Sequence, residues 1–580
     1  MEKMNVQALI LCFILAATVD CSYGSLKSIG TLNESQCQPW SFLGTTNKCQ
    51  CYDNKDKRLI GAVSCTDHGS LLQFGYCMTY EEHNGTFLAQ CPYFDFRVYN
   101  VSKSEYIQLP DHLSQLNNSM CDPLNRKGRV CSECKEGYAL AINSYSYKCV
   151  KCSDRWYEAL SYILMEFVPI TVFYFVILAF RVSVTSAPMT CFIIFGQLIV
   201  YVFRTDTTEF ERIKLQSYPH FINTIKTMYG ISNLEFFQYT LPDTCVNSNL
   251  KIIHIQLLGY IPAFYALCLV TMTWICIELH DHNFRPLVWL WRPFHKCCVQ
   301  LRREWNLKYD IIDVFASFFF LSSSRLMYQS LQLLGVRYLW NKNGSQELMY
   351  HRVTLFDPTV TYFSSRDHLP YAIIGIVFLF LFSILPTLVL IFYPTRAFRA
   401  CTSICKLTGH SQAALQTFVE KFHNCYRDGL DEGRDMRSFS GLYFLLRGVT
   451  MASHELRHTQ LTENTWFFCT VLFSIAALVI SYLKPYKKWY MNLMDTLLLS
   501  FLALFFLLVN VHTRNRSQFL HAHSVSIVIG AVASTPLFVF LIYGAYSIIL
   551  KIFPHNLLKK AIRCNPWRTC GNEESYKLLV

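Results

Sequence analysis

Apolar runs long enough to cross a bilayer recur along this chain from residue 157 to residue 549, separated by polar connections. A helical crossing takes roughly 20 apolar residues, and at membrane depth every backbone N–H and C=O must be paired within protein. The pattern predicts nine crossings, at 157–180, 188–204, 252–277, 311–334, 369–394, 439–455, 465–483, 492–511 and 524–549. The second and sixth are short, the sixth carries Arg447, and 439–483 also reads as a re-entrant element. Ahead of them, residues 25–152 lack a long apolar run and are crowded with cysteine. The predicted fold is an all-α polytopic membrane bundle of about nine transmembrane helices, preceded by a small disulfide-rich ectodomain that is mostly β or irregular.

The first residues read as a secretory signal, with Lys3 ahead of a short apolar core, Ala8–Ala17, and small residues near Ser22 and Gly24 for cleavage. A signal anchor is the alternative. The expected organisation is a signal peptide at 1–24, a glycosylated Cys-rich ectodomain at 25–152, a membrane domain at 153–550 and a cytoplasmic tail at 551–580. Composition agrees, because 52% of residues are hydrophobic and only 16% charged, against about a quarter charged in soluble proteins. The net charge of +12 is interleaved with apolar runs, which argues against a nucleic-acid surface and suits positive-inside bias. With the N-terminus outside, the connections after odd-numbered crossings face the cytosol and hold Arg285, Arg292, Lys296, Arg396, Arg399, Lys484 and Lys487 among others. Sequons at Asn343 and Asn515 fall in connections that this topology places outside, as expected at the plasma membrane.

Eleven cysteines lie between residues 25 and 152: Cys37, Cys49, Cys51, Cys65, Cys77, Cys91, Cys121, Cys131, Cys134, Cys149 and Cys152. Sequons at Asn33, Asn84, Asn100 and Asn117 share that stretch. The pairs Cys131/Cys134 and Cys149/Cys152 have spacing close to a four-thiolate zinc site, but a glycosylated segment in an oxidising lumen favours disulfides. Eleven is odd, and Cys245, between the second and third crossings, makes twelve. One ectodomain cysteine is therefore predicted to bond Cys245 and clamp the module to the helices, with Cys21 the other candidate for the twelfth.

Charges at membrane depth are costly and mark polar paths or structural pairs. Glu166 and Arg325 each lie about nine residues from the outer ends of their crossings, so antiparallel helices bring them to one depth. They are predicted to pair, with Arg447 as the rival cation. Asp313 and Asp495 sit at inner membrane edges. On 311–334, Asp313, Ser317, Ser324 and Tyr328 fall on one stripe and Ser322, Arg325, Gln329 and Gln332 on another, so this helix belongs inside the bundle. Pro169, Pro262, Pro386 and Pro536 interrupt four crossings.

The cytoplasmic connections offer less. Residues 280–298, with Trp289, Trp291, Arg292 and Lys296, read as an interfacial anchor, and His280, Asp281 and His282 lack a second ligand cluster for a metal. Cys297, Cys298, Cys401 and Cys405 are juxtamembrane thiols open to palmitoylation. The acids of 425–439 resemble a calcium loop only superficially, since the glycine and terminal glutamate are misplaced. No cofactor is implied. The sequence lacks a P-loop, a GxSxG elbow and a GxGD motif, and its inner connections are too short for a folded enzyme domain, so it does not read as an enzyme. The terminal Leu578, Leu579 and Val580 suit a cytoplasmic PDZ-type partner.

CDPLNRKGRVCSECKEGYALAINSYSYKCVKC resembles growth-factor-receptor-type, EGF-like Cys-rich repeats. ELHDHNFRPLVWLWRPFHKC, LPYAIIGIVFLF, CYRDGLDEGRD and KPYKKWYMNLMDT resemble a family of invertebrate multi-pass membrane proteins that join such an ectodomain to a polytopic bundle. The resemblance spans roughly 121–550 and implies that architecture, with no activity attached. More distantly, the layout is similar to fungal TRP-like proteins, without a pore motif to align. Two functions follow. One is a receptor-like cell-surface sensor that binds an extracellular ligand or matrix protein; the other is a TRP-like cation channel or transporter with 311–334 beside its path. An adhesion anchor needs a single helix. The sensor is preferred, the bilayer is a partner in either case, and the oligomeric state stays open.

Overall fold

Short strands punctuated by cysteine build the N-terminal part of the chain, and apolar helices build the remainder. The computed structural model describes strands between residues 41 and 108, residue 121, and residues 125–141, 149–152, 156–180, 184–205, 219–236, 245, 250–281, 311–342, 349–355, 357–364, 366–395, 409–429, 434–455, 465–514 and 528–539. The chain divides into two units, Met1–Ser70 and Leu71–Val580. In the first, β1 (Ser41–Leu43) pairs antiparallel with β2 (Cys49–Cys51), Phe42 opposite Gln50, and β3 (Val63–Thr66) follows.

In the second unit, β4 (Gly69–Gln73) contributes Leu71–Gln73, while β5 (Tyr76–Glu81) and β6 (Gly85–Gln90) form a hairpin with Met78 opposite Leu88. β7 (Tyr106–Gln108) pairs with β4 through Leu72 and Ile107. Two smaller hairpins follow, β8 (Arg126–Lys127) with β9 (Glu133–Cys134) and β10 (Tyr138–Leu140) with β11 (Cys149–Lys151). Elements this short bury little apolar surface, so covalent closure holds them. Cys121 bonds Cys131, and Cys134 bonds Cys149. Inside these loops the buried Arg126 donates from Nη1 to the carbonyls of Cys131 at 3.0 Å and Ser132 at 3.3 Å. The four thiols whose spacing resembles a zinc site are thus spread over three bridges: Cys134 and Cys149 bond each other, Cys131 bonds Cys121, and Cys152 bonds Cys245.

The helices are α1 (Trp156–Phe180), α2 (Ala187–Thr205), α3 (Pro219–Gly230), α4 (Ile252–Leu258), α5 (Ile261–Asp281) and α6 (Ile311–Leu334). After the strands β12 (Val336–Lys342) and β13 (Met349–Thr354) come α7 (Leu369–Phe392), α8 (Gly409–His423), α9 (Phe439–Glu455), α10 (Thr465–Leu483), α11 (Trp489–Arg514) and α12 (Val528–Val539). Six segments are long and apolar enough to cross a membrane: Leu160–Leu178, Ile252–Ile275, Ile311–Leu334, Leu369–Phe392, Thr465–Leu483 and Trp489–Val511. The other three expected crossings also coincide with helices, but Met189–Val202 and Val528–Val539 are shorter apolar helices and α9 has 17 residues. Among the described residues six helices are long and apolar enough to cross, and residues 524–527 and 540–549 of the ninth expected crossing lie outside the described residues. α2 shows why apolar length is a poor guide here: Phe195 and Leu198–Val202 are packed against protein, where lipid does not set the length.

α6 is the central helix. Of its most apolar 18-residue stretch 72% is buried, against 22% of the corresponding stretches in α1 and α7. α7 widens into a π turn, Phe380–Ile384, just before Pro386, which has no N–H to donate and would crowd the carbonyl four residues back. α9 crosses it at Gly441, where a Cβ would stand 2.5 Å from Ile391 Cγ1.

Past Leu334 the chain runs through Gly335 straight into β12. β12 pairs with β13 on one side and with β6 on the other, Trp340 opposite Leu88 and Lys342 opposite Thr86. The sheet order is β13-β12-β6-β5, so the connection after α6 shares a sheet with strands that precede α1. Together with Cys152–Cys245, this gathers β5, β6, β10 and β11 with the connections before α4 and after α6 at one end of the bundle.

Candidate functional site

Four consecutive polar residues, Ser322 to Arg325, stand in the middle of α6, and all are buried. Ser323 and Ser330 are satisfied locally, as serine in a helix can return its proton to a carbonyl three or four residues back, whereas Ser322 Oγ donates to Ala263 O on α5 at 3.4 Å. Ser323 Oγ donates to Phe320 O at 2.8 Å and Ser330 Oγ to Leu326 O at 2.7 Å. Arg325 reaches farther. Its Nη2 donates to Glu166 Oε1 on α1 at 2.7 Å, with 3% and 5% of the two side chains exposed. Its Nε donates to Gly259 O at 3.1 Å and its Nη1 to Leu234 O at 3.0 Å. The pairing that matched depth predicts is therefore made, with two main-chain carbonyls added.

Both carbonyls stand at breaks in helices. Gly259 closes α4, and Leu234, at φ 59°, closes the 3₁₀ turn Ile231–Asn233 that follows α3. The pattern of apolar runs assigns α3 to no crossing and leaves it in an outer connection. Instead it folds back into the bundle. Tyr229, 1% exposed, donates to Ala533 O of α12 at 2.7 Å, and Ser232 O accepts from Gln197 Nε2, halfway along α2, at 2.8 Å. Asn233 Oδ1 accepts from Ser324 Oγ at 2.6 Å. Gly196 makes room, since a Cβ there would lie 2.7 Å from the Tyr229 ring. The signal for α3 was present in Phe221, Ile225 and Tyr229, spaced one helical turn apart, but His220, Asn223 and Lys226 dilute it.

Arg447 does not compete for Glu166. Its Nη1 donates to Gln197 Oε1 at 3.0 Å and its Nη2 to Ser323 Oγ at 2.9 Å, while its carbon lies 4.7 Å from the Phe444 ring centre and 5.5 Å from that of Phe320. Neutral acceptors and aromatic faces thus hold a fully buried cation. Of the polar stripes on α6, Ser317 Oγ accepts from the Val184 N–H at 3.3 Å, and Gln332 Nε2 donates to the Tyr328 hydroxyl.

At the other end of the bundle, Asp313 meets Lys421 at 3.9 Å. Asp495, 1% exposed, accepts from Tyr486 OH at 3.0 Å, and its Oδ1 makes no hydrogen bond. Tyr486 stacks on Tyr426 with ring centres 4.8 Å apart, and the backbones exchange hydrogen bonds, Arg427 N to Pro485 O and Lys487 N to Cys425 O. The motifs CYRDGLDEGRD and KPYKKWYMNLMDT, distant in sequence, meet here. Acids of the first are engaged by bases, Asp428 with Lys487 at 3.0 Å and Asp435 with Arg437 at 2.6 Å.

The remaining candidates fall elsewhere. Asn33, Asn84, Asn100, Asn117, Asn343, Asn515, Cys37, Cys91, Cys297, Cys298, Cys401, Cys405 and the terminal Leu578–Val580 lie outside the described residues, as do the side chains of Cys49, Cys51, Cys65 and Cys77. Among the described residues no group of three His, Cys, Asp or Glu is placed to hold a metal. No family model, curated protein or solved structure matches this chain.

Proposed function

We propose that this chain is a non-enzymatic, receptor-like sensor of the plasma membrane, in which a glycosylated Cys-rich ectodomain biases the central helix α6. The supporting observation is the shared sheet: β12 follows α6 after Gly335 alone and pairs with β6 of the Cys-rich part. A ligand or matrix protein that shifts β5 and β6 then pulls on the outer turn of the helix that carries Arg325. In this reading the N-terminus is outside, the tail is cytoplasmic, and α2, α9 and α12 complete nine crossings as buried helices. Partners on the inner side, a PDZ domain among them, receive the signal.

The coupling is tested by Leu88→Pro, which removes a ladder hydrogen bond from a strand flanked on both sides. Hydrogen exchange of the full chain in nanodiscs is expected to rise across Met327–Leu334 and to stay unchanged in α10 and α11. Unchanged exchange in α6 rejects the coupling.

The re-entrant α3 favours a second reading, a TRP-like cation channel or transporter. Irregular backbone at membrane depth is tolerated where it is buried in protein or lines a path. Electrophysiology separates the two: ion flux altered by Glu166→Gln and Arg325→Gln supports conduction, and silence with normal surface delivery supports the sensor.

A further inference from the structure

Only residues 484–488 connect α10 to α11, and both helices are long and apolar enough to cross a membrane. So short a link holds its residues at the depth of the lipid headgroups. Its backbone is pinned. Asn492 Oδ1 accepts from Tyr486 N at 3.0 Å, Asn492 Nδ2 donates to Tyr486 O at 3.2 Å, and Tyr486 stacks on Tyr426. Pro485 and Tyr486 are buried, which leaves Lys484, Lys487 and Lys488 as the exposed surface of the link. Lys484 ends α10 at φ 47°, a left-handed conformation that favours glycine or asparagine over a long side chain. Tyr482, 83% exposed, and Trp489, 75% exposed, flank the lysines. Asp428 is engaged by Lys487 at 3.0 Å and Asp435 by Arg437, while Lys488 stands 5.8 Å from the Tyr490 ring centre.

We propose that the α10–α11 link is a binding surface for anionic phospholipids of the adjoining leaflet. Lys484 and Lys488 meet the headgroup phosphates, and Tyr482 and Trp489 lie in the interface beside them. Lysine reaches such a position by laying its stem along apolar surface and lifting its ammonium to the headgroups. Aromatic side chains with one polar end settle at the same level. Charge and depth together select lipid as the occupant: the exposed side chains of the link are cationic, and the two most exposed aromatics beside it border the crossing helices. Lys487, held by Asp428, ties this surface to the CYRDGLDEGRD segment. The surface does not depend on the sensor reading, because it needs only that α10 and α11 cross the bilayer.

The test is native mass spectrometry of the full chain in detergent, titrated with phosphatidylserine or phosphatidylcholine. Lys484→Gln with Lys488→Gln is compared with Lys127→Gln and Lys151→Gln, which remove the same charge from exposed lysines of the Cys-rich strands. Wild type is expected to retain phosphatidylserine in preference to phosphatidylcholine. The first double variant is expected to weaken that retention roughly 25-fold, at about fivefold for each basic residue. The second double variant keeps it, as does Lys484→Arg with Lys488→Arg. Glycerophosphoserine, a headgroup without tails, does not displace the lipid. Equal retention of the two lipids overturns the proposal, as does equal loss in the two glutamine variants, which makes the effect one of net charge. Loss in the arginine variant, or displacement by glycerophosphoserine, overturns it as well.

Discussion

Glu166→Gln removes one charge from the buried pair and keeps the size of the side chain. The amide keeps an acceptor oxygen facing Arg325 Nη2, and the contacts from Arg325 to Gly259 O and Leu234 O remain. The guanidinium then stays buried, 3% exposed, with no carboxylate at 2.7 Å. Breaking a buried ion pair from one side costs about 3–5 kcal/mol, mostly from the charge left behind. Because two carbonyl contacts survive, the lower end of that range is expected, about 3 kcal/mol. That is on the order of a hundredfold in the folded-to-unfolded ratio. Glu166→Gln with Arg325→Gln leaves no stranded charge, so the double variant is expected to be less damaged than the sum of the singles by at least about 1 kcal/mol. Unfolding by sodium dodecyl sulfate in mixed micelles, with the exposed Glu136→Gln as control, reports these differences. A Glu166→Gln variant within about 0.5 kcal/mol of wild type, or strictly additive singles, would refute the reasoning.

Three further outcomes are expected. His423 is buried with Nε2 3.1 Å from Leu390 O, and burial, helped by Arg437, pushes its pKa down to about 4. The unfolded chain, with His near 6.5, takes up the proton first, so stability is full above about pH 6.5 and falls by roughly 3 kcal/mol toward pH 4. His423→Asn flattens pH-dependent unfolding across that window, and equal acid sensitivity contradicts the assignment. Gly441→Ala puts a Cβ 2.5 Å from Ile391 Cγ1 and 2.7 Å from the Ile391 nitrogen, for a loss of about 1–3 kcal/mol. Gly448→Ala, whose nearest neighbours are 3.8 Å away, is expected to be neutral or favourable, and equal losses at both sites sink the packing argument. Cys152→Ser and Cys245→Ser open the same link, of sequence separation 93, and each costs up to about 4–5 kcal/mol on loop entropy. The double variant should be no worse than either single; additive losses would show that the two cysteines act separately.

Much of the bundle was legible because lipid imposes a length and an apolar composition. The crossings predicted at 311–334 and 465–483 coincide with α6 and α10, and Glu166 met Arg325 because rise per residue converts position into depth. α3 escaped because a short helix packed on protein obeys no such length rule. The partner of Cys245 was not legible among eleven cysteines, since which sulfurs meet depends on tertiary closure. β12 against β6 joins residues about 250 positions apart, a pairing no local pattern encodes. A local hint existed only for the neighbouring pairing of β12 with β13, in Asn343-Gly344 between two polar-aromatic stretches. Arg447 bonds neutral acceptors such as Gln197 in place of Glu166, which a count of charges alone does not reveal.

The Cys152–Cys245 bond closes a covalent ring that contains α1, α2 and α3 entire. A protease that nicks the backbone anywhere from 153 to 244 therefore yields two fragments that still migrate as one chain until a reductant is added. Shedding of the N-terminal head by a cut inside that ring is ruled out while the bridge lasts, and only cleavage upstream of Cys152 can release it.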